Sequence, residues 1–230
     1  MPKGCSGVPY IDQEPGFYPW LPARFLFGYL GSFYERWDAR LLDRLADQWA
    51  VPMDQPFGQL SPGNRQKVAL MAALAPRPGL LLLDEPVSAM DPAARRAFLK
   101  ELIDWTTEGG GGPTVLLCSH LTGDLERVCS HAAVLSGGRV AIRGETGELK
   151  ERVKRLRVRG PAPAGFARGL PGLLLATTEP GGGAAVVDGT APEAAAALRA
   201  RLGPGASVEE EDLNLEEIFL EVTRGEAGRG

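Results

Sequence analysis

Leu80-Leu81-Leu82-Leu83-Asp84-Glu85-Pro86 carries two adjacent carboxylates at the end of a short, continuous apolar run. Such a run suits a β-strand buried on both faces of a parallel sheet. Neighbouring strand residues point to opposite sides, so Asp84 and Glu85 can divide labour at the strand's carboxyl end, where open α/β sheets bind ligands. An aspartate there can hold Mg2+, usually through water, and a glutamate can orient and deprotonate an attacking water. Alone, an Asp-Glu pair is equally well read as a solvated strand end.

The surroundings of the pair favour chemistry. Downstream, Ser88-Ala89-Met90-Asp91 leads into Pro92, a cap followed by proline that opens a helix to about Thr107. The linker Gly109–Pro113 then leads into a second buried strand, Thr114–Ser119, with His120 at its end. Upstream, Leu60-Ser61-Pro62-Gly63-Asn64 places Ser61 23 positions before Asp84. Ser61-Pro62 again reads as cap plus proline, starting a helix to about Ala75, whose first turn offers a hydroxyl, free N–H groups and the positive dipole end to an anion. Still earlier, Phe25, Tyr29, Leu30 and Phe33, then Leu41, Leu42, Leu45 and Trp49, recur at helical spacing. After His120 come a helix near Thr122–Cys129 and a hairpin, Ala132–Leu135 with Arg139–Ile142 around Gly137-Gly138. Strand–helix–strand alternation predicts an α/β fold with a parallel sheet.

In order and spacing these elements resemble the ATPase domain of ABC transporters: a Q-loop, a signature, a Walker B strand with its glutamate, a D-loop and a switch histidine. The resemblance implies a P-loop NTPase-like fold, a parallel sheet plus a helical subdomain, and ATP and Mg2+ as its ligands. It assigns Gln13 of Tyr10-Ile11-Asp12-Gln13 to the Q-loop, touching Mg2+ and relaying motion to a membrane subunit. Ser61 and Gly63 match the signature residues that close over ATP held by the opposite subunit. Asp84 and Glu85 match the metal-binding and catalytic carboxylates, Asp91 the D-loop aspartate at the dimer interface, and His120 the histidine that contacts the γ-phosphate. Asp212–Leu220, Phe17–Trp20 and Asn64–Lys67 are similar to drug- and antibiotic-export members.

Two departures accompany the resemblance. Nothing in these 230 residues reads GxxxxGK[ST], the loop whose backbone N–H groups and lysine hold the ATP phosphates. Pro2-Lys3-Gly4-Cys5-Ser6-Gly7 has the residue types in the wrong order, and Gly109–Gly112 lacks a lysine and enters a strand. The expectation is a domain without its front part, in which Met1 is not the true beginning or the gene is broken. Because the family sets its phosphate-loop strand beside the Walker B strand, Leu80–Leu83 is expected to lack a central neighbour. The signature also carries Pro62 and Asn64 where the family has glycine and glutamine, and proline removes one N–H from the anion-facing turn.

Bulk properties exclude other classes. A formal charge of −4 argues against general nucleic-acid binding. Cys5, Cys118 and Cys129 lack CxxC spacing and point to free thiols in a reducing compartment. Leu70–Leu83, the most apolar stretch, is interrupted by Pro76, Arg77, Pro78 and Gly79 and is too short for a span of about 20 residues. A cytoplasmic protein, peripheral on the inner face of the membrane, is expected. Its partners would be a transmembrane permease and a second ABC ATPase subunit, identical or different. The basic cluster Lys150, Arg152, Lys154, Arg155, Arg157 and Arg159 reads as a solvated helix-to-strand edge rather than a lipid or nucleic-acid site.

Composition shifts to Gly, Ala and Pro after about Arg159. The expected division is residues 1–155, with a helical subdomain over about 15–75 and the catalytic remainder over 76–155, and then a small α/β appendage over 156–230. Helices are expected at Pro192–Leu202 and Leu215–Val222, with weak strands at Val186-Val187 and Ser207-Val208. Two functions fit: an exporter's ATPase subunit, or a non-catalytic degenerate subunit that supplies its signature to an intact partner ATPase.

Overall fold

The computed structural model describes residues 7–107, 112–203 and 205–227. The glycine run at 109–111 and residues 2–6, including Cys5, lie outside them. The chain forms two compact units, Met1–His120 and Leu121–Gly230.

In the first unit, strands β1 (Tyr10–Ile11), β2 (Leu80–Asp84) and β3 (Thr114–Cys118) form a parallel sheet in the order β1-β2-β3. Tyr10 pairs with Leu82, and Leu82 with Leu116. The Asp84 strand is therefore central and paired on both sides, contrary to the expected missing neighbour. The short segment ahead of Gln13 supplies one partner and the His120 strand the other, so the outer edges of β1 and β3 are the unpaired ones among the described residues. Burial on both faces is also corrected. Leu81 and Leu83 are enclosed, whereas Leu80 is 37% and Leu116 60% exposed, because only the Leu81–Leu83 side of the sheet is packed into the core.

Helices α1 (Ala23–Gly31), α2 (Ala39–Gln48), α3 (Pro62–Leu74) and α4 (Pro92–Thr107) complete this unit. Their starts follow the chemistry of their caps. The Asp38 carboxylate accepts from Leu41 N at 2.9 Å and ties α2 to Arg77 at 2.9 Å. Ser61 accepts from Asn64 N, and Asp91 from Ala93 N and Ala94 N. Every residue of α3 from Val68 to Leu74 is buried, so the second half of this helix is enclosed on all sides. Phe98 of α4 is fully buried and meets Trp49 edge-on, ring centroids 6.2 Å apart.

The second unit holds α5 (Thr122–Val128), the hairpin β4 (His131–Ser136) and β5 (Arg139–Glu145), and α6 (Thr146–Arg152). Gly137 and Gly138 turn the hairpin with positive φ, as glycine readily does. Strands β6 (Val153–Arg159), β7 (Leu173–Glu179), β8 (Gly182–Asp188) and β9 (Ser207–Asp212) form an antiparallel sheet ordered β7-β8-β6-β9. Helix α7 (Ala191–Arg201) packs on one face through Ala194, Ala195 and Leu198 over Leu156, Ala185 and Val187. Helix α8 (Leu215–Ala227) packs through Ile218 and Val222 with Val153, Val186 and the hairpin residues Val134 and Ile142. The compositional change near Arg159 falls at the end of β6, inside this unit.

The basic cluster is an internally neutralised ladder. Arg157 bonds Glu211 at 2.6 Å, Lys154 bonds Asp212 at 2.6 Å, and Arg155 bonds Glu221 at 2.7 Å, while Lys150 pairs with Glu126. These bonds hold the Glu211 carboxyl, through Arg157, and the Glu126 carboxyl, through Lys150, below the usual carboxylate range. A lowered folded-state value means that the unfolded chain binds more protons. The stabilisation is thus complete above about pH 4 and fades as pH falls through the lower folded values. We expect the urea midpoint of the second unit to drop between about pH 7 and pH 3, and Glu211→Gln to reduce that drop. An acid-insensitive midpoint in the wild-type chain would contradict the ladder's contribution.

Candidate functional site

The site grows from the carboxyl end of β2. Asp84 is the last strand residue, and its Oδ2 accepts from the Tyr10 hydroxyl of β1 at 3.4 Å. Slight desolvation of the otherwise exposed Tyr10 hydroxyl, with the negative charges of Asp12 and Asp84, raises its pKa. Glu85 leaves the strand with φ of 46°, in the left-handed region that non-glycine residues rarely occupy. Strain of this kind persists where surrounding bonds over-determine the residue.

Those bonds come from the end of β3. Glu85 N donates to Cys118 O at 2.9 Å. Oε1 of Glu85 receives His120 N at 2.8 Å and lies 2.7 Å from His120 Nδ1. A carboxylate accepts only, so Nδ1 is the donor in this contact and Nε2 makes no bond to Glu85. The Glu85 side chain is 17% exposed and that of His120 65%, so the carboxylate is sheltered while the imidazole is reachable from solvent. Ser119 Oγ donates to Oε2 at 3.2 Å.

Beyond Glu85 the chain folds back, with Ser88 N and Oγ both donating to Glu85 O. Asp91 then caps α4, and its carboxyl is held below the usual range chiefly by the Ala94 N–H. Gly63 sits against this loop: a Cβ there would lie 2.8 Å from Ala89 O. The first turn of α3 and the Ser88–Asp91 loop are therefore in direct backbone contact, and the contact requires glycine. Ser61 Oγ is already occupied as the α3 cap, accepting from Asn64 N at 3.3 Å. Gln13 lies on an exposed bend two residues beyond β1.

The structure thus joins Glu85 to His120 directly, sets Asp84 on the same strand, and joins the Gly63 turn to the Asp91 loop. Tyr10 and Ser119 had no role in the sequence reading. The only signal was their position, three residues before Gln13 and one before His120. Among the described residues no cluster of three or more His, Cys, Asp or Glu could hold a metal unaided. Asp84 as a single carboxylate suits Mg2+ that is shared with phosphate oxygens and water, a cation rarely held by an all-protein cage.

An ABC transporter ATP-binding protein of Alkalihalophilus pseudofirmus, itself uncharacterized, is 28% identical over 223 residues, covering 93% of this chain and 82% of its own length. Its homologues are ABC transporter ATP-binding proteins, and its fold is that of their ATPase domain. The chain is also 39% identical over 109 residues to the thiamine import ATP-binding protein of Salmonella typhimurium, covering 46% of each. A solved ATP-binding cassette dimer, in a post-hydrolysis state with ADP and phosphate bound, aligns with a TM-score of 0.52 and 21% identity. That alignment covers 60% of this chain and 62% of the other. The family model described as "AAA domain, putative AbiEii toxin, Type IV TA system" matches residues 52–123, from the approach to the signature turn to just past His120. Two other curated ABC ATP-binding proteins are spanned for only about half their length, 51% and 49%.

Proposed function

We propose that the chain is the ATP-hydrolysing subunit of an ABC transporter. The observation that carries this reading is the Glu85–His120 contact at 2.7 Å beside Asp84, on adjacent parallel strands. Glu85 accepts a proton from a water whose oxygen bonds the γ-phosphorus of ATP as the bond to the β–γ bridging oxygen breaks, releasing ADP and phosphate. His120 Nε2, which makes no bond to Glu85, would meet the γ-phosphate oxygens. Asp84, with Gln13, would hold Mg2+, which supplies charge neutralisation at the phosphates. Ser61 and Gly63 would close over a nucleotide held by a second ATPase subunit, with Asp91 at that interface. The structural relative described as a dimer with ADP and phosphate supports this arrangement.

No described helix is long and apolar enough to cross a membrane, which fits a subunit that works through a transmembrane permease on its cytoplasmic side. The drug-export character of Asp212–Leu220 favours export, although a curated relative is named for import.

Gripping of the phosphates falls to a GxxxxGK[ST] segment, which these 230 residues do not contain. The same observation favours a second reading, in which the chain lends Ser61 and Gly63 to an intact partner without itself catalysing hydrolysis. Calorimetric titration tests the division of labour. The 230-residue chain should bind Mg·ATP no tighter than about 1 mM, some −4 kcal/mol. Micromolar binding would show that its own residues grip the phosphates.

A further inference from the structure

We propose that Ser119 is the positioning residue of Glu85, aiming the one carboxylate oxygen that His120 leaves available. The inference rests on the ATPase reading above and extends it to a residue outside the motif.

The two oxygens of Glu85 are not equivalent. Oε1 faces two donors of His120, the backbone N–H at 2.8 Å and Nδ1 at 2.7 Å. The two donors occupy the lone pairs of that oxygen. Oε2 has one protein donor among the contacts described, Ser119 Oγ at 3.2 Å, and so retains lone-pair capacity for water. Oε2 is therefore the oxygen that takes the proton.

Fixing Oε1 alone does not fix Oε2. The terminal torsion of glutamate is broad, and a carboxylate held by one oxygen swings about it. A second anchor on the other oxygen sets the carboxylate plane, and Ser119 provides it from the residue adjoining His120. The three bonds from Cys118, Ser119 and His120 all originate at the end of β3, and together they keep Glu85 at its φ of 46°. A hydroxyl suits this task better than a cationic donor. It orients the oxygen without placing a positive charge beside it.

Amide hydrogen exchange of the 230-residue chain, resolved by NMR, reads this brace without nucleotide. Ser119→Ala should free the Glu85 carboxylate and raise the His120 amide exchange rate about tenfold, with Ser119→Thr restoring protection. Unchanged exchange in Ser119→Ala would overturn the proposal. In an assembly that hydrolyses ATP, Ser119→Ala should lower kcat about tenfold with KM for Mg·ATP unchanged, and Ser119→Thr should recover it. A KM increase at constant kcat would overturn positioning of the base. If Glu85→Gln leaves turnover intact, the ATPase reading fails instead, and the exchange measurement still decides whether Ser119 braces Glu85.

Discussion

Glu85→Gln should lower ATP turnover by about 10²–10⁴-fold in an assembly containing this chain and a GxxxxGK[ST] segment, while leaving nucleotide affinity nearly intact. Glutamine preserves the side-chain length and can accept from His120 N, so the contact between the ends of β2 and β3 should persist. It has no carboxylate oxygen to receive the proton, and with its amide oxygen toward His120 its NH2 meets the Ser119 hydroxyl that now donates. The variant should therefore retain ATP for many turnover times. Steady-state phosphate release and retention of labelled ATP after gel filtration measure the two halves. Turnover within twofold of wild type would remove Glu85 from the chemistry and leave the non-catalytic reading in place.

Phe98→Ala should destabilise the first unit by about 3–5 kcal/mol, the cost of removing a large aromatic side chain from a packed interior. Phe98 is fully enclosed, and its ring meets the buried Trp49 at 74°. This contact ties α4, which follows the Asp91 cap, to the residue that ends α2. Urea unfolding of the chain followed by Trp fluorescence measures the loss. A change under about 1 kcal/mol would mean that the cavity collapses around the missing ring or that α4 contributes little to the fold.

Elements whose signals are local were legible in the sequence. Cap-plus-proline pairs marked the starts of α3 and α4, apolar runs marked β2 and β3, and Gly137-Gly138 marked the hairpin. In the tail, expected helices at Pro192–Leu202 and Leu215–Val222 correspond to α7 (Ala191–Arg201) and α8 (Leu215–Ala227). Strand β1 escaped because two residues are too few to show a period, and they become a strand only by pairing with Leu82 and Leu83. Strand β6 read as a basic edge because its partners, Glu209, Glu211 and Asp212, lie more than fifty positions away. Covering of β2 on one face rather than both was equally hidden, since a run of leucines carries no alternation to reveal which side is packed.

The same limit governed the site. The carboxylate pair, the signature turn and His120 could be found from residue type and order. That His120 and Ser119 divide the two oxygens of Glu85 between them could not, because the contacts span 34 and 35 positions. The need for glycine at position 63 was likewise invisible until the Ala89 carbonyl was seen against it.

A structure of the assembly trapped with Mg·ADP·vanadate would test the central claim most directly. The vanadate should lie within hydrogen-bonding reach of His120 Nε2, with its attacking-position oxygen against Glu85 Oε2 and the metal on the Asp84 side. Nucleotide bound elsewhere, with Glu85 and His120 closed on each other away from it, would contradict an ATP-hydrolysing role for this pair.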